Sequence, residues 1–265
     1  MRVKRFGRNL LGRDIVCGDI HGCYDQVWQG MKAIGFDMRR DRLFSVGDTV
    51  DRGPGSPRAA AFLAQPYVHA IRGNHEDMFL EIYSQGEPDE SVLRAMTRHN
   101  GMAWFLDLDQ AQRATMIASF AALPIAIEIE TARGTVGLVH AQVPKGMDWD
   151  AFKARIEAGD AAVTHEALWG RDRIESGDDS GVRGVGRVFC GHTPIHGPLQ
   201  AGNVYYLDTG AVFGVINGLD GRRGRLTMAA IEAGTAILKA PSEADGLTDV
   251  RQGGTTQSPF GRYAR

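Results

Sequence analysis

An α/β fold is the expectation from this sequence, and three observations carry it. Five apolar runs of strand length each lead into a loop bearing Gly or His. Segments with helical spacing lie between several of these runs. Residues 125–130, and part of 225–231, instead alternate apolar with polar, which favours antiparallel strands toward the C-terminal half.

In chain order, Ile15, Val16 and Cys17 run into "GDIHG", and residues 43–46 run into "GDTVDRGPGS". Residues 67–71 run into "RGNHE", 136–139 into His140, and 187–190 into "GHTP". Val27, Met31 and Ile34 share one helix face, and residues 78–83, 91–98 and 110–122 also read as helix. Asp148 is an N-cap for a helix over 149–158, because its carboxylate can accept from a free N–H of the first turn. Trp104 and Phe105 read as core. From Lys239 the chain turns rich in Gly, Ser, Thr and Arg without periodicity. One domain over about residues 1–238, with a mobile tail over 239–265, is therefore expected.

Composition narrows the function. The chain has 265 residues, 43% of them hydrophobic and 23% charged, enough to bury a core without staples. A formal net charge of −2 gives no argument for nucleic acid or a membrane surface as partner. Cys17, Cys23 and Cys190 form no CxxC pair, and Met1 to Leu11 holds no long apolar stretch, so a reducing, cytoplasmic compartment is expected. No apolar run approaches the roughly 18 residues of a membrane span.

The strand-end loops carry the chemistry, because ligands of an α/β sheet collect at the carboxyl ends of its strands. Together they offer Asp19, His21, Asp48, Asp51, Asn74, His75, His140 and His192: three carboxylates, one amide and four imidazoles. Such oxygen and nitrogen donors suit Mn, Fe or Zn in a hydrolytic site. They are too many for one tetrahedral ion and suit two ions with a bridging carboxylate. In "DIH" the extended backbone puts Asp19 and His21 on one side and Ile20 on the other.

These motifs resemble the metallophosphoesterases. "GDIHG", "GDTVDRG" and "RGNHE" in order, followed by His140 and "GHTP", are similar to the phosphoprotein phosphatase branch over residues 16–213. "AIRGNHE", "LWGRDR" and "YYLDTGAVFG" look most like its small bacterial and phage members. The resemblance implies a central β-sandwich flanked by helices and two divalent ions, Mn first and Fe or Zn as alternatives. Asp19 and His21 would hold the first ion, Asp48 would bridge, and Asn74, His140 and His192 would complete the second. Arg52, Arg72 and Arg171 would clamp the phosphate, with Arg173 a near neighbour of the third. His75, oriented by Asp51, would be the acid that protonates the leaving alkoxide. The implied activity is that of a serine/threonine protein phosphatase acting on phosphoproteins or phosphopeptides, with the regulatory partner unspecified.

The nearest rival is the symmetrical diadenosine tetraphosphatase group, which shares "GDIHGCYD" and "RGPGS" with this chain. That group carries Ala at the position of Asp51 and GNHD at Glu76, and these differences favour the protein phosphatase. A non-catalytic scaffold of the same fold would lack ligands, whereas every expected ligand position is filled here.

Overall fold

The computed structural model describes residues 1–216, 224–232 and, for the backbone alone, 247–250. Two sheets face each other. In the first, β2 (Asp14–Cys17), β3 (Arg42–Ser45) and β4 (Val68–Ala70) are parallel neighbours. β10 (Leu226–Ala230) lies antiparallel to β2, and β11 (Leu247–Val250) antiparallel to β10. The rest of the segment read as a mobile tail lies outside the described residues.

The second sheet runs β1-β5-β6-β7-β9-β8. Its members are β1 (Val3–Phe6), β5 (Ala126–Thr131), β6 (Gly134–Val139), β7 (Arg187–Cys190), β8 (Leu199–Ala201) and β9 (Val204–Tyr206). β6, β7 and β9 are parallel, so their carboxyl ends share one edge, while the β5–β6 and β8–β9 pairs are antiparallel.

Side-chain alternation builds the layers. Val16, Phe44 and Val46 meet Ile127, Ile129, Leu138 and Phe189 between the sheets. The odd-numbered neighbours Ile15, Cys17 and Leu43 face helices on the other side. Those helices include α1 (Tyr24–Ala33), α3 (Asn74–Ile82) and α5 (Gln110–Ala121). On the outer face of the second sheet, Val139, Val188, Cys190 and Tyr206 pack on Trp149, Phe152 and Ile156 of α6 (Trp149–Glu157). Strands covered on both faces have no polar side, which is why β2 and β7 read as plain apolar runs. Asp148 caps α6 as expected, accepting from the Ala151 N–H at 2.8 Å, a contact worth about 1 kcal/mol. Among the described residues no helix is long and apolar enough to cross a membrane.

The structure departs from the sequence reading at "RGNHE". Helix α3 begins at Asn74, four residues before the apolar pattern, so Asn74 and His75 sit in its first turn. Glu76 makes this start: its carboxylate reaches back to accept from the Gly73 N–H at 2.8 Å, the half of a capping box that a glycine N-cap allows.

Candidate metal centre

Parallel β2, β3 and β4 deliver Asp19–His21, Asp48–Arg52 and Asn74–His75 to one edge, while β6 and β7 deliver His140 and His192. The loops are locked to each other. Asp48 O accepts from the N–H groups of Ile20 and His21 at 3.1 and 2.8 Å. His192 N–H donates to Asp19 Oδ2 at 3.0 Å, and His75 N–H to Asp48 Oδ1 at 3.1 Å. Among the described residues, the non-glycine positions with positive φ are His21, Asp48, Asp51, Arg52, Asn100 and His192. All but Asn100 are candidate site residues. Left-handed backbone costs a side chain about 1–3 kcal/mol, and its concentration here is what a site over-determined by its surroundings produces.

Asp48 is central. Its Oδ2 lies 3.5 Å from His21 Nε2, and its Oδ1 lies 3.4 Å from His140 Nε2. Asn74 Oδ1 faces His140 Nε2 and His192 Nδ1, each at 2.9 Å. The outward nitrogens of two rings are committed: His21 Nδ1 to Val50 O and His140 Nδ1 to Val46 O, both at 2.7 Å. Those carbonyls can only accept, so each Nδ1 carries a proton and Nε2 is the nitrogen turned inward. Burial pushes His21 down to about 3, and burial followed by the His140 charge pushes His192 to about 3. Both rings are therefore neutral at ordinary pH.

Lone pairs facing lone pairs are repulsive without a cation between them. Asp19 Oδ1 and His192 Nε2 are buried without a hydrogen-bond partner, which adds to the case for a metal. His21, Asp48 and His75 form one group, and Asp19, Asp48 and His140 another, each with ligand atoms within 4.8 Å of one another. Both groups contain Asp48. The donor set therefore fits two divalent cations sharing that carboxylate, although these groups pair His21 with His75 and Asp19 with His140 and not, as the sequence resemblance implies, Asp19 with His21. Imidazoles that donate their other N–H to backbone carbonyls are the usual supports of such ligands. Glycine is required beside them: a Cβ on Gly191 would sit 1.9 Å from Asp19 Oδ1, and one on Gly73 would sit 2.1 Å from Asp48 Oδ1.

His75 belongs to a second arrangement. Its Nδ1–H donates to Asp51 Oδ2 at 2.6 Å, and its Nε2 lies 4.0 Å from Asp48 Oδ2. Burial opposes its charged form, but the Asp48 and Asp51 carboxylates outweigh burial and raise its pKa. Arg52 spans the mouth, with Nη1 donating to His21 Nε2 at 2.6 Å and Nη2 to His75 Nε2 at 2.8 Å. His75 Nε2 is thus an acceptor here, and it can take the proton its raised pKa favours once the guanidinium turns toward an anion.

The other expected arginines are placed differently. Arg72 Nη1 donates to Asp77 Oδ1 at 3.1 Å and Nη2 leans on Ala121 O at 3.5 Å, so none of its hydrogen bonds is with the cluster. Arg171 is exposed at the start of α8 (Asp172–Glu175), near enough to His192 for its charge to lower that pKa. Arg173 is buried, with Nε on Val143 O and Nη1 on Asp178, each at 2.7 Å, which makes it structural.

Two polar contacts were not expected. Asp208 follows β9, is buried, and accepts from the Gly210 N–H at 2.9 Å. Burial, and then the Asp48 charge, push it up to about 6. Burial and the Asp208 charge likewise raise Asp19. The apolar run 204–207 followed by "DTG" has the form of the other strand-end loops and could have revealed Asp208. The second contact is from Trp104, whose Nε1–H donates to Asp51 Oδ1 at 2.7 Å.

A family model described as calcineurin-like phosphoesterase matches residues 13–198. The chain is 34% identical to serine/threonine-protein phosphatase 1 of Salmonella typhimurium, over 82% of its own length and 91% of that protein's. It is 30% identical to a symmetrical bis(5'-nucleosyl)-tetraphosphatase of Nitrosococcus oceani, over 60% of its length and 61% of that protein's. A crystal structure described as a candidate diadenosine tetraphosphatase superposes with a TM-score of 0.63 at 22% identity, covering 96% of this chain and 99% of that one.

Proposed function

The chain belongs to the calcineurin-like phosphoesterase family, and on that premise we propose that it is a serine/threonine protein phosphatase. The observation that supports this reading most is the pair Asp51–His75 beside the donor cluster, at 2.6 Å. An alkoxide leaving from phosphoserine must gain a proton, and an imidazole held by a buried carboxylate can give it.

Asp19, His21 and Asp48 would hold one divalent ion, and Asp48, Asn74, His140 and His192 the other. When bound, such ions supply charge neutralisation at the phosphoryl oxygens and activation of a nucleophilic water. Manganese is the first choice for this oxygen and nitrogen set. Arg52 turns from the two imidazoles to the phosphate, where its planar fork can bind two oxygens. His75 then carries its proton on Nε2, facing the leaving oxygen, while Asp51 holds Nδ1. Arg171 adds positive charge at the rim, and Arg72 holds the start of α3 through Asp77. Free, buried cysteines are in keeping with a cytoplasmic enzyme.

The test is a panel of phosphoserine and phosphothreonine peptides against diadenosine tetraphosphate at equal concentration with Mn. Faster turnover of the peptides is expected. A clear preference for the dinucleotide, cut symmetrically into two diphosphates, would assign the chain to the tetraphosphatase reading.

A further inference from the structure

Asp51 is fully buried at φ +71°, and both its oxygens are occupied. Oδ2 faces His75 Nδ1 at 2.6 Å, and Oδ1 accepts from Trp104 Nε1–H at 2.7 Å. Trp104 lies in the 3-10 turn Ala103–Asp107, more than fifty positions away in the chain. Its ring is half-buried, edge-on to Phe79 and Phe105 at 5.8 and 5.5 Å. An indole N–H can only donate, so Asp51 Oδ1 is the acceptor in this contact and its orientation is set by the indole.

The same stretch of chain reaches Arg52. Gly101 O accepts from the Arg52 N–H at 3.1 Å, and a Cβ on Gly101 would lie 2.4 Å from that nitrogen. Asn100, the remaining non-glycine residue with positive φ among those described, aims this loop at φ +60°. Residues 100–104 therefore hold the side chain of Asp51 and the backbone of Arg52, the two residues whose side chains meet His75 Nδ1 and Nε2.

We propose that Trp104 is a positioning residue for the leaving-group acid, fixing the plane of Asp51 so that His75 presents Nε2 to the substrate. The proposal rests on the phosphatase reading above. A carboxylate held by one bond can rotate about its Cβ–Cγ axis and take the imidazole with it. A second donor on the other oxygen removes that freedom, so the proton is aligned before the P–O bond breaks. A tryptophan serving only as core would need its ring and not its N–H.

Trp104→Phe keeps the ring packing and removes the donor. General-acid catalysis contributes about 10²–10⁴-fold, so disturbing the acid without deleting it should slow phosphoserine-peptide turnover by about tenfold. Turnover of nitrophenyl phosphate, whose phenolate leaves without a proton, should fall several-fold less. In a His75→Asn background Trp104→Phe should add no further loss on the peptide, because both act through one group. Metal content by elemental analysis should stay at the wild-type level. If the Phe variant does not fold, benzothienylalanine at position 104 serves, since it has the indole shape with a sulfur that cannot donate.

Equal slowing on both substrates, or the same loss in the His75→Asn background, would overturn the Trp104 assignment alone. Absence of any difference between the two substrates in His75→Asn itself would overturn the acid reading beneath it.

Discussion

Replacing Glu76 by Gln tests how the two central loops are held together. The Glu76 side chain is fully buried in the first turn of α3 and accepts four hydrogen bonds. Oε1 takes the N–H and hydroxyl of Thr49 at 2.6 and 2.8 Å, and Oε2 takes the N–H groups of Asp48 and Gly73 at 3.1 and 2.8 Å. The amide of Gln turns one acceptor into a donor. Aimed at Asp48 and Gly73, its NH2 strands two backbone N–H groups. Aimed at Thr49 it strands one, because the hydroxyl can rotate to accept, so this orientation wins. A buried donor left unpaired costs about 1–3 kcal/mol. Burial and the neighbouring Asp48 charge raise the Glu76 pKa, so removing that charge offsets part of the weakening of the other three bonds. The net expectation is a loss of about 1–3 kcal/mol, or roughly 3–10 °C in the unfolding midpoint of a chain this size. Urea and thermal unfolding in chelator at neutral pH, with the denaturant slope checked for constancy, measure it. A loss below about 0.5 kcal/mol would refute the reasoning, since it would mean that Glu76 sits neutral in the fold and the four donors are not what holds it.

Chelation should abolish phosphatase activity and Mn restore it, and Asp48→Asn should lose metal at both sites by elemental analysis; full activity in a metal-free preparation contradicts the two-ion assignment. Arg52→Ala should weaken vanadate inhibition by about ten- to a hundredfold, from about 1.5–3 kcal/mol for a charge-assisted bond and 1.4 kcal/mol per decade. Arg72→Ala should change that inhibition less, because Arg72 is bonded to Asp77, and the reverse order of effects would exchange their roles. Gly191→Ala places a methyl 1.9 Å from Asp19 Oδ1 and should lower metal occupancy, so wild-type metal content in a folded variant would count against Asp19 as a ligand.

Much of the site was legible because its residues follow a rule of position. Asp19, His21, Asp48, Asn74, His140 and His192 each lie within five residues of the end of an apolar run, and parallel strands bring such ends to one edge. Asp208 obeys the same rule, but β9 is only three residues long and "DTG" has the composition of a turn. Trp104 obeys no such rule: its N–H found Asp51 across the fold, and nothing in "GMAWFLD" distinguishes it from a core tryptophan. The start of α3 is not legible in the sequence because Asn74 and His75 carry no apolar signal, and the turn is started by a Glu76 carboxylate that reaches back to Gly73.

By itself the sequence determined which donors exist and that the alternation of strand and loop gathers them, since both depend on residue type and on periods of two and 3.6. Only the tertiary structure decided what each side chain faces. The Val50 and Val46 carbonyls accept from Nδ1–H of His21 and His140, and so leave Nε2 as the nitrogen turned inward. Asp77 draws Arg72 aside, while Gly101 and two imidazoles keep Arg52 in the mouth. Long polar side chains settle on whichever distant partner completes their hydrogen bonds in a buried place, and that partner is known only once the chain has folded.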